Sequence, residues 1–317
     1  MHSLLPYSIR CYNPSLTGDS DSKNKYALLD KIGQFDVYNL LKSYIDSHIN
    51  FKIVEEHKQV FRFNSVVFNS DKRIIYGWLQ VGMYGIKTDI INIDTGEVDF
   101  EKAVNNAEVI NHFVYFYLPK NLNKGIALLH AHGLHGVKTL FFELFSKYFN
   151  QVTKLNLQMN PLSYEKAVNK WMDGNIVEIR LNKFDGWKDR TDALFNGGSN
   201  EHSLIIKSIK KGKISNAIGQ FKDCLNKNSD TAKAIEVLSS HCSQVKTVVA
   251  LGKQTRIFTV GNSEAHTMYS IEAPDELKLV DGNPEYTAIQ EWCEEISTEF
   301  FNELFPGVVM YPSIEVP

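Results

Sequence analysis

The chain has 317 residues, 43% hydrophobic and 22% charged, with a formal net charge of -3. That is the composition of a folded globular protein with one large core or two to three modest ones, and it excludes a disordered chain. No stretch approaches the roughly eighteen consecutive apolar residues of a membrane-spanning helix, so such a span is excluded as well.

The opening residues, Met1 to Tyr7, lack a basic stretch followed by a long apolar one, so no secretory signal is expected. Cys11, Cys224, Cys242 and Cys293 are scattered without a CxxC pair. They are expected to be reduced, mostly buried thiols of a cytoplasmic protein, not a disulfide frame or zinc knuckle.

In chain order, residues 1–15 alternate weakly and end in a turn at Asn13-Pro14-Ser15. Val37, Leu40, Leu41, Tyr44 and Ile45 predict a helix over 35–48 that opens near Asp36. Alternation over 61–68 and 74–81 around the turn at Asn69-Ser70-Asp71 predicts a hairpin, and 90–93 with the turn at 94–97 extends it into a meander. Gly77, Gly82 and Gly85 fall within this texture and point to bulges or close backbone approach.

Between 110 and 183 the pattern predicts strands at 112–118, 125–132, 154–159 and 175–181, with helices at 137–150 and 163–172. That order predicts a ferredoxin-like, split βαβ unit, an architecture that does not by itself select a function. Further on, a strand is expected at 204–209, helices at 214–226 and 231–240, and a hairpin over 245–260. An acidic amphipathic helix closes the series at 286–305. The expected class is α+β in three parts: a β-rich region at 1–108, a ferredoxin-like domain at 109–190 and an α/β domain at 191–317.

Charge is unevenly spread. Residues 120–227 hold seventeen Lys and Arg against nine Asp and Glu, a surplus of +8, whereas 228–317 hold five against fourteen, or -9. A basic middle suggests an anion-binding face. Within it, Lys207, Lys210, Lys211 and Lys213 fall in seven residues and Lys222 follows, the residue type that neutralises phosphates without reading sequence. Lys138 opens the helix after the turn of HAHGLHG, where backbone N–H groups favour an anion.

His130, His132 and His135 of that string tempt a zinc reading, but no neighbouring Cys or Asp supplies a fourth ligand, and no metal or cofactor is assigned. Phe113, Tyr115 and Tyr117 fit core positions better than a base-stacking platform. Asp94 and Glu97 with Lys102, and Glu165-Lys166, are the nearest approaches to a nuclease carboxylate–lysine set, and ordinary surface pairing explains both. No GxSxG, HExxH, GxGxxG or RxxxxH string occurs, so no catalytic residue is assigned.

The order of these segments, from VDFEKAVNNAEVINHFVYFYLP through NKGIALLHAHGLHGVKTLFFELFSKYF and NIVEIRLNKF to VVALGKQTRIFTV, resembles the RexA-like phage-exclusion proteins and the DUF4747-type proteins of bacterial defence loci. The likeness is architectural, over about residues 50–305, and no binding residue transfers position by position. The resemblance implies a dimeric DNA-binding sensor working with a membrane effector. The expectation is therefore a non-enzymatic nucleic-acid binder, for DNA or RNA, that forms a homodimer through the apolar stripe of the last helix. A nuclease with a dispersed site and a protein-partner adaptor using that acidic helix are the alternatives.

Overall fold

The computed structural model describes residues 2–16, 25–133, 135–162, 171, 173–182, 203–207, 220, 222–223, 226, 229–239, 244–251, 254–260 and 270–311. The protein is of the α+β class. It divides into two units, the first built from residues 1–162 and 277–317, the second from 163–276.

Unit 1 contains the strands β1 (His2–Tyr12), β2 (Tyr26–Ala27), β3 (Lys52–Val54), β4 (Gln59–Asn69), β5 (Ile74–Met83), β6 (Thr88–Ile91), β7 (Val98–Lys102), β8 (Glu108–Tyr117), β9 (Gly125–His132) and β10 (Asn156–Pro161). Its main sheet is antiparallel in the order β10-β1-β9-β8-β5-β4-β3, with β2 also on β1. Helices α1 (Val37–Asp46) and α2 (Lys138–Thr153) cover one face.

Alternation along β8 explains the layering. Val114, Phe116 and Leu118 enter the core beneath α1 and α2 together with Tyr44 and Phe145. The odd residues turn to the other face, where Phe113 meets Tyr286 and Tyr117 meets Phe301 of the last helix, here named by its range Tyr286–Leu304. With both faces covered, β8 and β9 carry near-continuous apolar runs. The stripe of the last helix (Ile289, Trp292, Cys293, Ile296, Phe300) is buried within unit 1 itself, which removes the motive for a dimer through that face.

The β4–β5 ladder shifts register between Asn64 and Val67, and Ser65 has φ +52. Gly77 lies against this bulge: a Cβ there would stand 2.7 Å from Val66 Cα and 2.8 Å from the Ser65 carbonyl oxygen. Gly77→Ala is expected to lower stability by about 1–3 kcal/mol through overpacking against backbone. An unchanged urea midpoint would count against that reading.

Unit 2 is a sheet in the order β12-β11-β13-β14, from β11 (Asn175–Asn182), β12 (Leu204–Lys207), β13 (Gln244–Leu251) and β14 (Gln254–Val260), all antiparallel neighbours. Helix α3 (Asp230–Ser239) packs on β13; the last helix is α4 in this order. The sheets correct the expected ferredoxin-like unit. β8 and β9 pair as a hairpin, but β1 inserts between β9 and β10, and β11 joins the other sheet. The residues of the helix expected at 163–172, other than Trp171, and most of that expected at 214–226 lie outside the described set. The expected meander is also revised: β6 and β7 pair only with each other, outside the main sheet. Among the described residues no helix is long and apolar enough to cross a membrane.

Candidate functional site

The HAHGLHG string marks a real convergence of side chains. Even-numbered positions of β9 share one face, so His130 and His132 follow Ile126 and Leu128. β1 runs antiparallel to β9 and pairs His2 with His132. The His2 ring stacks on His132 at 4.7 Å and on His130 at 5.1 Å between centroids. A hairpin of Leu279–Val280 and Asn283–Pro284 turns through Asp281 and Gly282, both at positive φ, and presents the Gly282 carbonyl to His2.

The hydrogen bonds define a direction for the protons. The Phe113 N–H donates to His130 Nδ1 (3.4 Å), so His130 carries its proton on Nε2 and donates to His2 Nδ1 (3.0 Å). His2 Nε2 then donates to the Gly282 carbonyl (2.9 Å). His130 is also in reach of the Asn111 carbonyl. The opposite tautomer would use that acceptor but would leave His2 Nε2 facing Gly282 without a proton, so we assign the first. His112 Nδ1 donates to the His130 carbonyl at 3.1 Å.

The bonds that His2 and His130 accept at Nδ1 require both rings to be neutral, and burial favours the neutral form of His112 as well. Desolvation, reinforced by neighbouring histidines, pulls His130 down to about 3. Desolvation likewise lowers His112 to about 4, against the opposing pull of its bond to the His130 carbonyl. His2 is lowered as well, chiefly by burial. With such values His130 and His112 are poorly placed as general bases near neutral pH. His132 and His135 are exposed, and their backbones bond each other in both directions at 3.0 Å to close the turn.

That turn delivers the chain to α2, whose N-cap position is Val137 and carries no side-chain cap. Lys138 sits in the first turn with its ammonium 4.9 Å from the Phe142 ring centre. His135 is exposed and Lys138 half-buried next to the N-terminus of α2, the end of a helix that favours an anion.

The other basic residues fall elsewhere. Lys207, on β12 and 68% exposed at its side chain, is 3.2 Å from Glu178, and Lys222 is 3.0 Å from Asp173; both belong to unit 2, whereas Lys138 belongs to unit 1. Arg180 pairs with Glu178 and Asp275, and buried Lys246 with Glu272, so this part of the unit 2 sheet is an ion-pair network. Lys210, Lys211 and Lys213 lie outside the described residues.

Phe113, Tyr115 and Tyr117 are buried and are core residues. Asp94 and Glu97 are exposed beside the β6–β7 loop while Lys102 is buried; Glu165 and Lys166 lie outside the described residues. Among the described residues, three potential metal donors come together only at exposed Glu56, His57 and Glu143, where His57 Nε2 and Glu143 Oε2 are 3.0 Å apart. Sequence reasoning missed His2 and His112, which precede the string by over a hundred and by about twenty positions. The Asp281-Gly282 pair was a legible turn signal that could have located the acceptor for His2. Comparison of the chain with known protein families and with curated proteins gave no match.

Proposed function

We propose that the chain binds nucleic acid, with DNA the first candidate, as a non-enzymatic sensor or regulatory component of a cytoplasmic bacterial anti-phage system that acts with a membrane effector. The observation that carries this reading is the +8 surplus of residues 120–227 in a chain of negative total. Part of it falls in unit 1, where Lys120, Lys124, Lys138, Lys147 and Lys154 face a single acid, Glu143, over residues 120–162. Phosphate contacts are the chemistry such a surplus serves, and they carry no sequence preference. The resemblance to phage-exclusion proteins supplies the biological setting.

The test is fluorescence anisotropy with labelled duplex DNA at several salt concentrations. Changing Lys207, Lys210, Lys211 and Lys213 to Gln is expected to flatten the log–log salt slope by about three to four, the lower figure if Lys207 stays with Glu178. Lys138→Gln is expected to flatten it by about one. Unchanged affinity and slope in the folded variants would overturn the assignment. Metal-dependent cleavage of the probe, abolished by one Asp or Glu substitution, would favour the nuclease reading instead.

A further inference from the structure

Two exposed apolar features stand at opposite ends of the β5–β8 strand pair. At one end, β6 and β7 leave the main sheet as a separate hairpin. Ile86, Ile90, Ile91, Val98 and Phe100 are each at least 47% exposed, and Ile93 in the loop is 92% exposed. An isolated two-stranded hairpin is marginally stable in water, and apolar side chains displayed on both its faces call for a covering surface. The arm is acidic too: Asp89, Asp94, Glu97, Asp99 and Glu101 stand against Lys87 and Lys102.

At the other end is a cleft of about 610 Å³, walled by Tyr117, Phe301, Val308 and Val309 and edged by Lys72 and Lys120. Val309 at its lip is 69% exposed. Arg73, also in the lining, is committed to Asp36, and Asp71 is the acid present there. The cleft thus offers apolar walls with two lysines to an apolar, acidic insert.

We infer that the arm of one copy seats in the cleft of a second copy, forming a two-fold homodimer. β5 begins at Ile74 beside the cleft and ends at Met83 at the root of the arm, roughly 30 Å away at the rise of an antiparallel strand. That separation places the arm away from its own cleft. Two copies laid side by side in opposite directions bring each arm to the other's cleft, and both contacts close under one axis. Ile93 enters the apolar cleft, and Asp94 and Glu97 meet Lys72 and Lys120.

Sedimentation equilibrium on the full chain tests this, with circular dichroism to confirm that each variant is folded. Wild type is expected at twice 36.1 kDa. Ile93→Asp and Val309→Asp are each expected to raise the dimer Kd by roughly 10- to 100-fold, the worth of one buried aliphatic side chain. Lys72→Glu with Lys120→Glu is expected to weaken the dimer, and adding Asp94→Lys with Glu97→Lys to restore it, a rescue that misfolding would not produce. A monomer at every concentration, or a dimer indifferent to arm and cleft substitutions, overturns the inference. A ladder of larger species overturns the two-fold closure.

Discussion

Lowering the pH from 7 to 5 is expected to remove about 4 kcal/mol of stability from unit 1, because His112 and His130 are held neutral in the fold. In the unfolded chain each protonates near 6.5, whereas in the fold they do so only near 4 and 3. Below 6.5 the unfolded state binds more protons, so stability falls with pH and goes on falling until the folded values are reached. At pH 5 the effect is about 2 kcal/mol for each ring. His2, shifted in the same direction, adds to it. Urea unfolding at pH 7, 6 and 5 measures the loss, and His130→Gln is expected to remove about half of the pH slope. An equal midpoint at pH 7 and 5 would contradict the assignment, as would ring resonances of His112 and His130 that titrate near 6.5.

Asp36→Ala is expected to destabilise unit 1 by about 4–6 kcal/mol, because one carboxylate closes a helix and neutralises a buried cation. Oδ1 accepts from the Tyr38 N–H at 2.8 Å, capping α1. The same carboxylate accepts both terminal nitrogens of Arg73 at 2.7 Å. Arg73 also donates from Nε to the Leu118 carbonyl at 2.8 Å, and its guanidinium lies 4.7 Å from the Tyr38 ring centre. Removing the acid strands a charge that is 8% exposed, the situation in which a broken buried pair is most expensive. Asp36→Asn keeps a cap acceptor and is expected to lose about 1 kcal/mol less. Adding Arg73→Met to Asp36→Ala is expected to recover much of the loss, because it removes the stranded cation. A loss below about 1 kcal/mol for Asp36→Ala would show that the pair is not needed.

What was legible in the sequence was local. The start of α1 could be read from Asp36 and the spacing of Val37, Leu40 and Leu41. The strands β8 and β9 could be read from apolar runs that the double burial explains. Gly77 was rightly suspected of close backbone approach, and Asp94-Thr95-Gly96-Glu97 did mark a turn. Pairing between distant segments was not legible. Nothing near residue 2 shows that β1 lies between β9 and β10, and this insertion breaks the ferredoxin-like reading and carries His2 to His130. The partners of Lys207 and Lys222 lie 29 and 49 positions earlier, at Glu178 and Asp173, so a count of charge along the chain could not show them paired. The stripe of α4 was read correctly as apolar, but its burial depends on Phe113, Tyr115 and Tyr117 in a strand about 170 residues away.

The placement of α4 after unit 2 has a consequence on the ribosome. The strands β8 and β9 emerge early, but α4 follows only after residues 163–276, a stretch of 114 residues, have been made. At synthesis rates of about 5–20 residues per second, that stretch takes roughly 6–23 s. Until then the α4-facing side chains of a nearly complete sheet, Phe113, Tyr115 and Tyr117 among them, lack the cover that their hydrophobicity demands. A nascent chain with such a surface is a natural client for chaperones and a point of vulnerability to aggregation. Unit 1 can be finished only after the whole of unit 2 has been translated.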